Sequence, residues 1–465
     1  MTSSRQRNIA WLVAGTYFME ILDGTIVATA APSIGRAFGV ASVAVGLTIT
    51  AYLLTLAVLI SLGGWITRRF GSRRVFLAAI AIFSAASLLC ALSTSLPELV
   101  VMRVLQGIGG AMMVPVGRLA VLRVTDRADL VRAIALITWP ALVAPIIAPF
   151  VGGLLVTYAS WEWIFLINVP LGAVAFIAAW RLIPREARET PQRLDGVGLL
   201  LTGSGVAALV YLGTLLSGGH PQLVEVMAWG AGGCVLIGLA IRHLLRERHP
   251  LLDLRALRSE TFRVAHAGGS LFRISVSAVP FLLPLLFQDA FGWSPIVSGT
   301  LVLFVFVGNL AIKPVTTPLL TRFGFRAVLI GATLCAAISM LLAAYITAAT
   351  PVWLIAVLLI FSGAARSTGF TAYNTIAFAD VEPVAMTDAN TLASTLQQLA
   401  AGFGVTVAAL ALRAGDLALG GGERSVVPFQ LAFAVIAVLT VLATVEAARL
   451  TAVAGDNILP KRRQR

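Results

Sequence analysis

Long apolar runs separated by short, arginine-bearing turns fill this chain from end to end. Runs of helix-forming length fall near 9–31, 44–66, 75–94, 97–122, 132–157, 161–182, 194–215, 224–245, 262–288, 295–319, 326–347, 352–378, 389–412 and 427–448. Each is long enough to cross roughly 30 Å of hydrocarbon as an α-helix. The alternation that marks a strand is absent, so helices are the expected spanning form. With the N-terminus in the cytoplasm, loops on that side hold about 26 of the 34 basic residues. They include Arg5, Arg7, the cluster Arg68, Arg69, Arg73 and Arg74, the runs Arg181 to Arg193 and Arg242 to Arg263, and the tail KRRQR. The opposite side holds Arg36, Arg413 and Arg424. This asymmetry predicts about fourteen spans with both termini inside. The acidic loop 379–388 runs against it, but acids weigh little in that rule.

The pattern also repeats. TRRFGSRRVFL at 67–77 joins the second and third spans, and LTRFGFRAVLI at 320–330 joins the tenth and eleventh. Both are basic turns around a glycine, Gly71 and Gly324. Aligning them leaves six spans on either side of an inserted pair. The expected division is 1–188, a six-helix bundle; 189–258, an inserted two-helix segment with cytoplasmic linkers; and 259–465, a second six-helix bundle with a basic tail. A parallel repeat of this kind suits a transporter with its binding site at the midplane.

Composition agrees. The chain is 58% hydrophobic and 12% charged, about half the charged fraction of a soluble protein, and its mean hydropathy is +0.93. The net charge of +13 is accounted for by the cytoplasmic arginines and needs no nucleic-acid partner. Cys90, Cys234 and Cys335 lie in apolar runs and are expected to be buried and inert. Neither they nor the four histidines show metal-ligand spacing, so no metal or cofactor is expected. The apolar run behind MTSSRQRNIAW has no small-residue cleavage site and is read as a retained first helix.

Charges inside the spans carry the chemistry. A charge at the bilayer centre costs about 2.5–3.5 kcal/mol on insertion scales, so each needs water, a partner or a route to the surface. Arg118, five residues from Arg123, can snorkel. Arg103 sits about 9 Å inside the outer end of its span. Arg273, Lys313 and Arg366 come from three spans of the second half at similar depth, with no carboxylate comparably deep there. In the first half, MEILDGTIV sets Glu20 and Asp23 on one helix face. Such acids are tolerable if they face a wet cavity, pair with Arg103 or with the second-half cations, or bind a proton. Two crowded carboxyls in a poor solvent compete for ionisation, which suits proton loading and release. Glu20, Asp23 and Arg103 are therefore the expected proton-coupling residues. Arg273, Lys313 and Arg366, with the polar neighbours Asn309, Tyr373 and Asn374, are candidates for substrate binding. A guanidinium fork suits a carboxylated ligand.

Taken in order, LDGTIVATAAP, GGWITRRFGSRR, RVLQGIGGAMMVPVGR, APIIAPFVGGLL and WEWIFLINVPLG resemble the major facilitator superfamily, in particular its fourteen-helix drug:proton antiporters. The resemblance covers nearly the whole chain. It implies that Asp23 and Arg103 serve proton coupling and that Gly64, Arg68, Gly71 and Arg73 form a cytoplasmic gating turn. It also implies that Pro145, Pro149, Gly152 and Gly153 shape the fifth span where the halves meet. The sequence departs from the pattern at Arg68, where an acid is usual, at Ala28 for Asn and at Ala148 for Gly. GIGG at 107–110 resembles a nucleotide loop only superficially, since it lies mid-span with no strand before it.

The expected protein is a secondary transporter and not an enzyme. It is read as a monomeric, multi-pass, proton-coupled exporter of drugs or other small amphipathic molecules in a bacterial-type inner membrane, working by alternating access. An exporter of a small organic anion or metal–carboxylate complex is the alternative. A channel or non-transporting receptor is a further one, disfavoured because neither needs repeated halves or a titratable pair.

Overall fold

A computed structural model describes residues 4–124, 130–184, 194–217, 222–248, 250–382, 385–419, 425–451 and 454–455. The tail KRRQR, Arg424 and most of the 181–193 run lie outside the described residues. The described chain forms two compact units, Met1–Leu251 and Leu252–Arg465. Among the described residues, twelve helical runs are long and apolar enough to cross a membrane, and two shorter apolar helices, Val143–Tyr158 and Pro295–Ala311, bring the number to the expected fourteen.

In the first unit α1 (Ser4–Phe38) packs along α6 (Leu130–Tyr158). The second span is α2 (Gly46–Leu59), a 3-10 turn Ile60–Leu62 and α3 (Gly63–Phe70). Gly71 then turns the chain into α4 (Ser72–Ala91) at φ 82°, a left-handed conformation that glycine adopts without a Cβ clash. Next come α5 (Leu96–Val124), the short α7 (Trp163–Leu166) and α8 (Asn168–Leu182). Helix α5 is the hub, since α2, α4 and α1 all lie against it. The GIGG stretch explains this. A Cβ on Gly109 would sit 2.6 Å from the Phe83 nitrogen, and one on Gly107 3.1 Å from the Tyr52 carbonyl oxygen. Small residues let helices approach where no hydrophobic force drives them together in lipid. Ile9, Val13, Phe76, Phe83 and Met113 fill the core beside this junction.

The inserted pair is α9 (Gly196–Ser217) and α10 (Leu223–Arg246). Helix α9 lies on α2 as well as on α10, whereas α10 packs chiefly on α9. That peripheral place corrects one expectation. Cys90 is buried and Cys335 half-buried, but Cys234 of α10 is exposed, because little of the chain covers its helix.

The second unit contains α11 (Glu260–Leu285), α12 (Pro295–Ala311), α13 (Lys313–Ala343), α14 (Val352–Ile376), α15 (Met386–Leu419) and α16 (Val427–Ala448). Helix α11 packs on α15 and α16, α12 on α14, and α13 on α14 and α16. The repeat is visible in the backbone. Helix α13 is two helices joined across Gly324 at φ 76°, and the chain breaks at Ile312 before that basic turn as it does at Ile60–Leu62 before Gly71. The tenth span is thus α12 and the part of α13 before Gly324, and Lys313 stays within it, just past the break.

A buried acid–guanidinium cluster as candidate functional site

Four spans of the first unit converge on Asp23. Its Oδ2 accepts from Arg103 Nη1 at 2.6 Å, and its Oδ1 accepts from Gln106 Nε2 at 2.9 Å and Asn168 Nδ2 at 2.8 Å. Arg103 also donates from Nη1 to Gln106 Oε1 at 2.6 Å and from Nε to the Thr48 carbonyl at 3.3 Å. Gln106 Nε2 also donates to Ser87 Oγ at 2.6 Å. The Arg103 guanidinium lies 4.2 Å from the Tyr52 ring centroid and 5.7 Å from that of Phe165. Arg103 is 0% and Asp23 1% exposed. A buried ion pair survives only when its remaining hydrogen-bonding capacity is met, and here the amides of α5 and α8 largely meet it.

Local sequence explains the convergence. Arg103 and Gln106 are one turn apart on α5, and Asn168 opens α8. Gly152 lets α6 press on α1 one turn beyond Asp23, since a Cβ there would meet Ile26 Cγ1 at 2.8 Å. Gly153 lies beside it, its carbonyl accepting from Thr157 Oγ1 at 2.7 Å, while Pro149 is buried and Pro145 half-buried in the same helix.

Glu20 stands apart from this network. It is 8% exposed, one turn before Asp23, and its Oε2 has no hydrogen-bond partner. The Tyr52 hydroxyl is also unpartnered. Arg118 is exposed, in keeping with snorkelling.

Gln106, Asn168, Ser87, Thr48 and Tyr52 were not singled out by the sequence. Gln106 had a signal, its place one turn after Arg103. Asn168 lies within the quoted WEWIFLINVPLG, but neutral polar residues occur in many spans without comparable roles.

Of the second-half candidates, Arg273 of α11 meets Asn374 of α14, whereas the cations Lys313 of α13 and Arg366 of α14 have other partners. Arg273 Nη2 donates to Asn374 Oδ1 at 2.6 Å and its Nη1 to the Ala265 carbonyl at 3.0 Å, while Gln397 Nε2 approaches the same Asn374 oxygen at 3.4 Å. Lys313 Nζ donates to Thr371 Oγ1 at 2.8 Å. The Tyr373 hydroxyl donates to the Ala443 carbonyl at 3.3 Å, and Asn309 is half-buried on α12. Arg366 Nη2 donates to the Val276 carbonyl. That carbonyl is free because residue 280, which would supply the helical N–H, is a proline. Arg366 Nε and Nη1 and Arg273 Nε remain buried without partners. Within the second unit, no described carboxylate pairs with any of the three cations.

At the basic turn, Gly64 and Arg68 are exposed, so the residue that replaces the usual acid points away from the core. Arg73 donates to the Trp180 carbonyl at 2.5 Å with its guanidinium 5.2 Å from the Trp180 ring centroid, and Arg5 donates to the Leu182 carbonyl at 3.1 Å. Both fill carbonyls that the end of α8 leaves open, where the helix dipole favours cations. Beside them, Asp195 ties the inserted pair together through the Gly198 and Leu251 N–H groups and His243 Nε2 at 2.8–3.1 Å.

Compared with known families, the chain matches the Major Facilitator Superfamily model over residues 13–274 and 265–462. The chain belongs to that superfamily. Among curated relatives, "Putative multidrug resistance protein MdtD" of Salmonella newport (strain SL254) is 37% identical over 86% of this chain and 85% of its own length. The protein of the same name from Pectobacterium atrosepticum is 37% identical over 86% of each chain. Solved structures share the fold at low identity. A D-xylose-proton symporter superposes with TM-score 0.69 at 16% identity, covering 96% of this chain and 98% of that one. A bacterial homolog of the human lysosomal transporter Spinster gives 0.68 at 14%, covering 99% and 98%. This superfamily member is a multi-pass membrane protein and a secondary transporter, as its sequence pattern implied.

Proposed function

We propose that this chain is a proton-coupled exporter of amphipathic small molecules, drugs among them, acting by alternating access in the inner membrane of a bacterial-type cell as a monomer. The observation that carries the reading is the buried Asp23–Arg103 pair with Glu20 beside it, in a chain 37% identical to proteins named for multidrug resistance. Two dry carboxyls against one dry guanidinium supply a charge imbalance that a single proton corrects. Arg273, Lys313, Arg366, Asn309, Tyr373 and Asn374 are proposed to line the substrate path, and Gly64, Arg68, Gly71 and Arg73 to form the cytoplasmic gating turn. The division at 1–188, 189–258 and 259–465 completes the proposal, with the inserted pair as an addition to the first bundle.

One observation favours a second reading, export of a small organic anion or its metal complex. Arg273 and Arg366 are buried without a carboxylate partner in their unit and retain unfilled N–H groups. Proteoliposomes with an imposed pH gradient, assayed with ethidium and with a set of radiolabelled carboxylates, separate the two. Gradient-driven movement of ethidium alone supports drug export, and movement of a carboxylate alone supports the second reading. If neither responds to the gradient, proton-coupled export is wrong for both classes.

A further inference from the structure

Within the proposed coupling site, and resting on that reading, the two acids of α1 are not equivalent. Both oxygens of Asp23 are filled, Oδ2 by Arg103 and Oδ1 by the amides of Gln106 and Asn168. A proton arriving on either oxygen would displace one of these donors and weaken the carboxylate that pairs with a fully buried guanidinium. Glu20 is nearly as dry, but its Oε2 meets no donor. Among the described residues, the titratable groups set against it are Tyr17 and Asp23 from its own helix and Tyr52 from α2, none of them a cation, and Arg118 of α5 acts on Tyr17. Arg103 of α5 is turned onto Asp23 and stacks on the Tyr52 ring. Tyr52 belongs to the same junction, with its ring against Gly24, one turn after Glu20, and its hydroxyl against Gly110 without a partner. A second carboxylate beside Asp23 would be a buried charge with no described cation of the first unit against it, whereas a carboxylic acid adds no charge.

We propose that Glu20, and not Asp23, loads and unloads the transported proton, while Asp23 remains the hydrogen-bonded partner of Arg103. The proton adds to a Glu20 carboxylate oxygen from the outer side and leaves the same oxygen towards the cytoplasm. No other bond forms or breaks.

Infrared spectra of the purified full-length protein in lipid test the assignment without a substrate. The wild type should show a protonated-carboxyl C=O band at neutral pH that disappears on alkalinisation. Glu20→Gln should remove that band. The paired variant Asp23→Asn/Arg103→Gln, which deletes the ion pair as a unit, should keep it. Glu20→Asp, the guard against misfolding of the first variant, should shift the band and leave it titratable. A band that survives Glu20→Gln, a band lost in the paired variant, or no wild-type band at neutral pH overturns the proposal. In proteoliposomes, Glu20→Gln should keep downhill ethidium equilibration and lose at least about tenfold of its acceleration by a pH gradient. Wild-type protein that ignores the gradient refutes the export reading. A gradient response retained in full by Glu20→Gln refutes the assignment to Glu20 alone.

Discussion

Asp23→Asn is the most direct test of the buried pair, because it removes one charge and keeps the volume. The amides of Gln106 and Asn168 can still donate to the asparagine oxygen, but its Nδ2 would face Arg103 Nη1, donor against donor. Arg103 is 0% exposed and would keep only Gln106 Oε1 and the Thr48 carbonyl as acceptors. Removing one partner of a buried ion pair costs about 3–5 kcal/mol. The two residual acceptors argue for the lower end, about 3 kcal/mol. In a unit the size of Met1–Leu251, 1 kcal/mol moves the melting midpoint by about 2 °C, so the expected loss is about 6 °C. Arg103→Gln should cost a similar amount, because it strands the carboxylate. The double variant leaves neither charge behind. It should therefore lose less than the sum of the single variants, with a coupling energy of about 2 kcal/mol or more. Thermal unfolding of the purified protein in detergent, followed by tryptophan fluorescence, measures all three. Strict additivity, or an Asp23→Asn midpoint within about 1 °C of wild type, would show that the pair does not hold this cluster together.

Three further outcomes follow from the geometry. Gly109→Val should push α4 and α5 apart, since the first added carbon already falls 2.6 Å from a backbone nitrogen; a cost of about 1–3 kcal/mol should appear as a lower melting midpoint, and an unchanged one would contradict the close approach. Arg366→Met should cost about 1–3 kcal/mol by stranding the Val276 carbonyl, and Pro280→Ala in the same chain should recover most of it by restoring the helical N–H; absence of rescue in the same melt would mean that Arg366 does not serve that carbonyl. For Asp195, burial pushes the carboxyl up, but the Gly198 N–H, His243 and the Leu251 N–H together more than offset this and hold it below its ordinary value of 3.8. A depressed folded-state value contributes stability that is present above the ordinary value and fades as pH falls through the folded one. The midpoint gap between wild type and Asp195→Asn should thus be open at pH 7 and close in strong acid, and a gap that widens on acidification would reverse the sign.

Span number, the repeat and the α1 acids were legible because each rests on a strong local signal. Twenty apolar residues, a basic turn around glycine and a charge in hydrocarbon all stand out against a low background. The partners of those charges were less legible. Asp23 could be matched with Arg103 or with the deep cations of the second half, and only the folded first unit shows both of its oxygens filled from within. Gln106 and Asn168 are neutral, and a neutral amide costs too little in a span to announce itself. The break inside the tenth span was missed for a related reason. Ile312 is apolar, so the break after α12 leaves no mark in the hydrophobic pattern, and the helix restarts at Lys313 without a turn residue.

The same comparison bears on what a deep cation means. Arg366 and Arg273 look at first like charges that only a ligand could justify. Yet Arg366 meets a carbonyl released by Pro280, and Arg273 meets Asn374 and the Ala265 carbonyl. Backbone and amide oxygens thus take up part of the cost of burial without supplying a counter-charge. What they leave is more telling than the charges themselves: Nε on both residues and Nη1 on Arg366. A carboxylate needs two parallel N–H groups on one guanidinium edge, and those edges are Nε with Nη2 or Nη1 with Nη2, so either free nitrogen of Arg366 forks with the N–H of Nη2 that the Val276 carbonyl does not use. Arg366 alone keeps two unfilled nitrogens, since Arg273 retains only Nε. Replacing Arg366 by Lys would keep the charge and lose the fork. If the chain exports a carboxylate, Arg366→Lys should raise KM for it well above wild type while ethidium transport is spared. If Arg366 serves only the Val276 carbonyl, lysine can donate there, and both activities should survive.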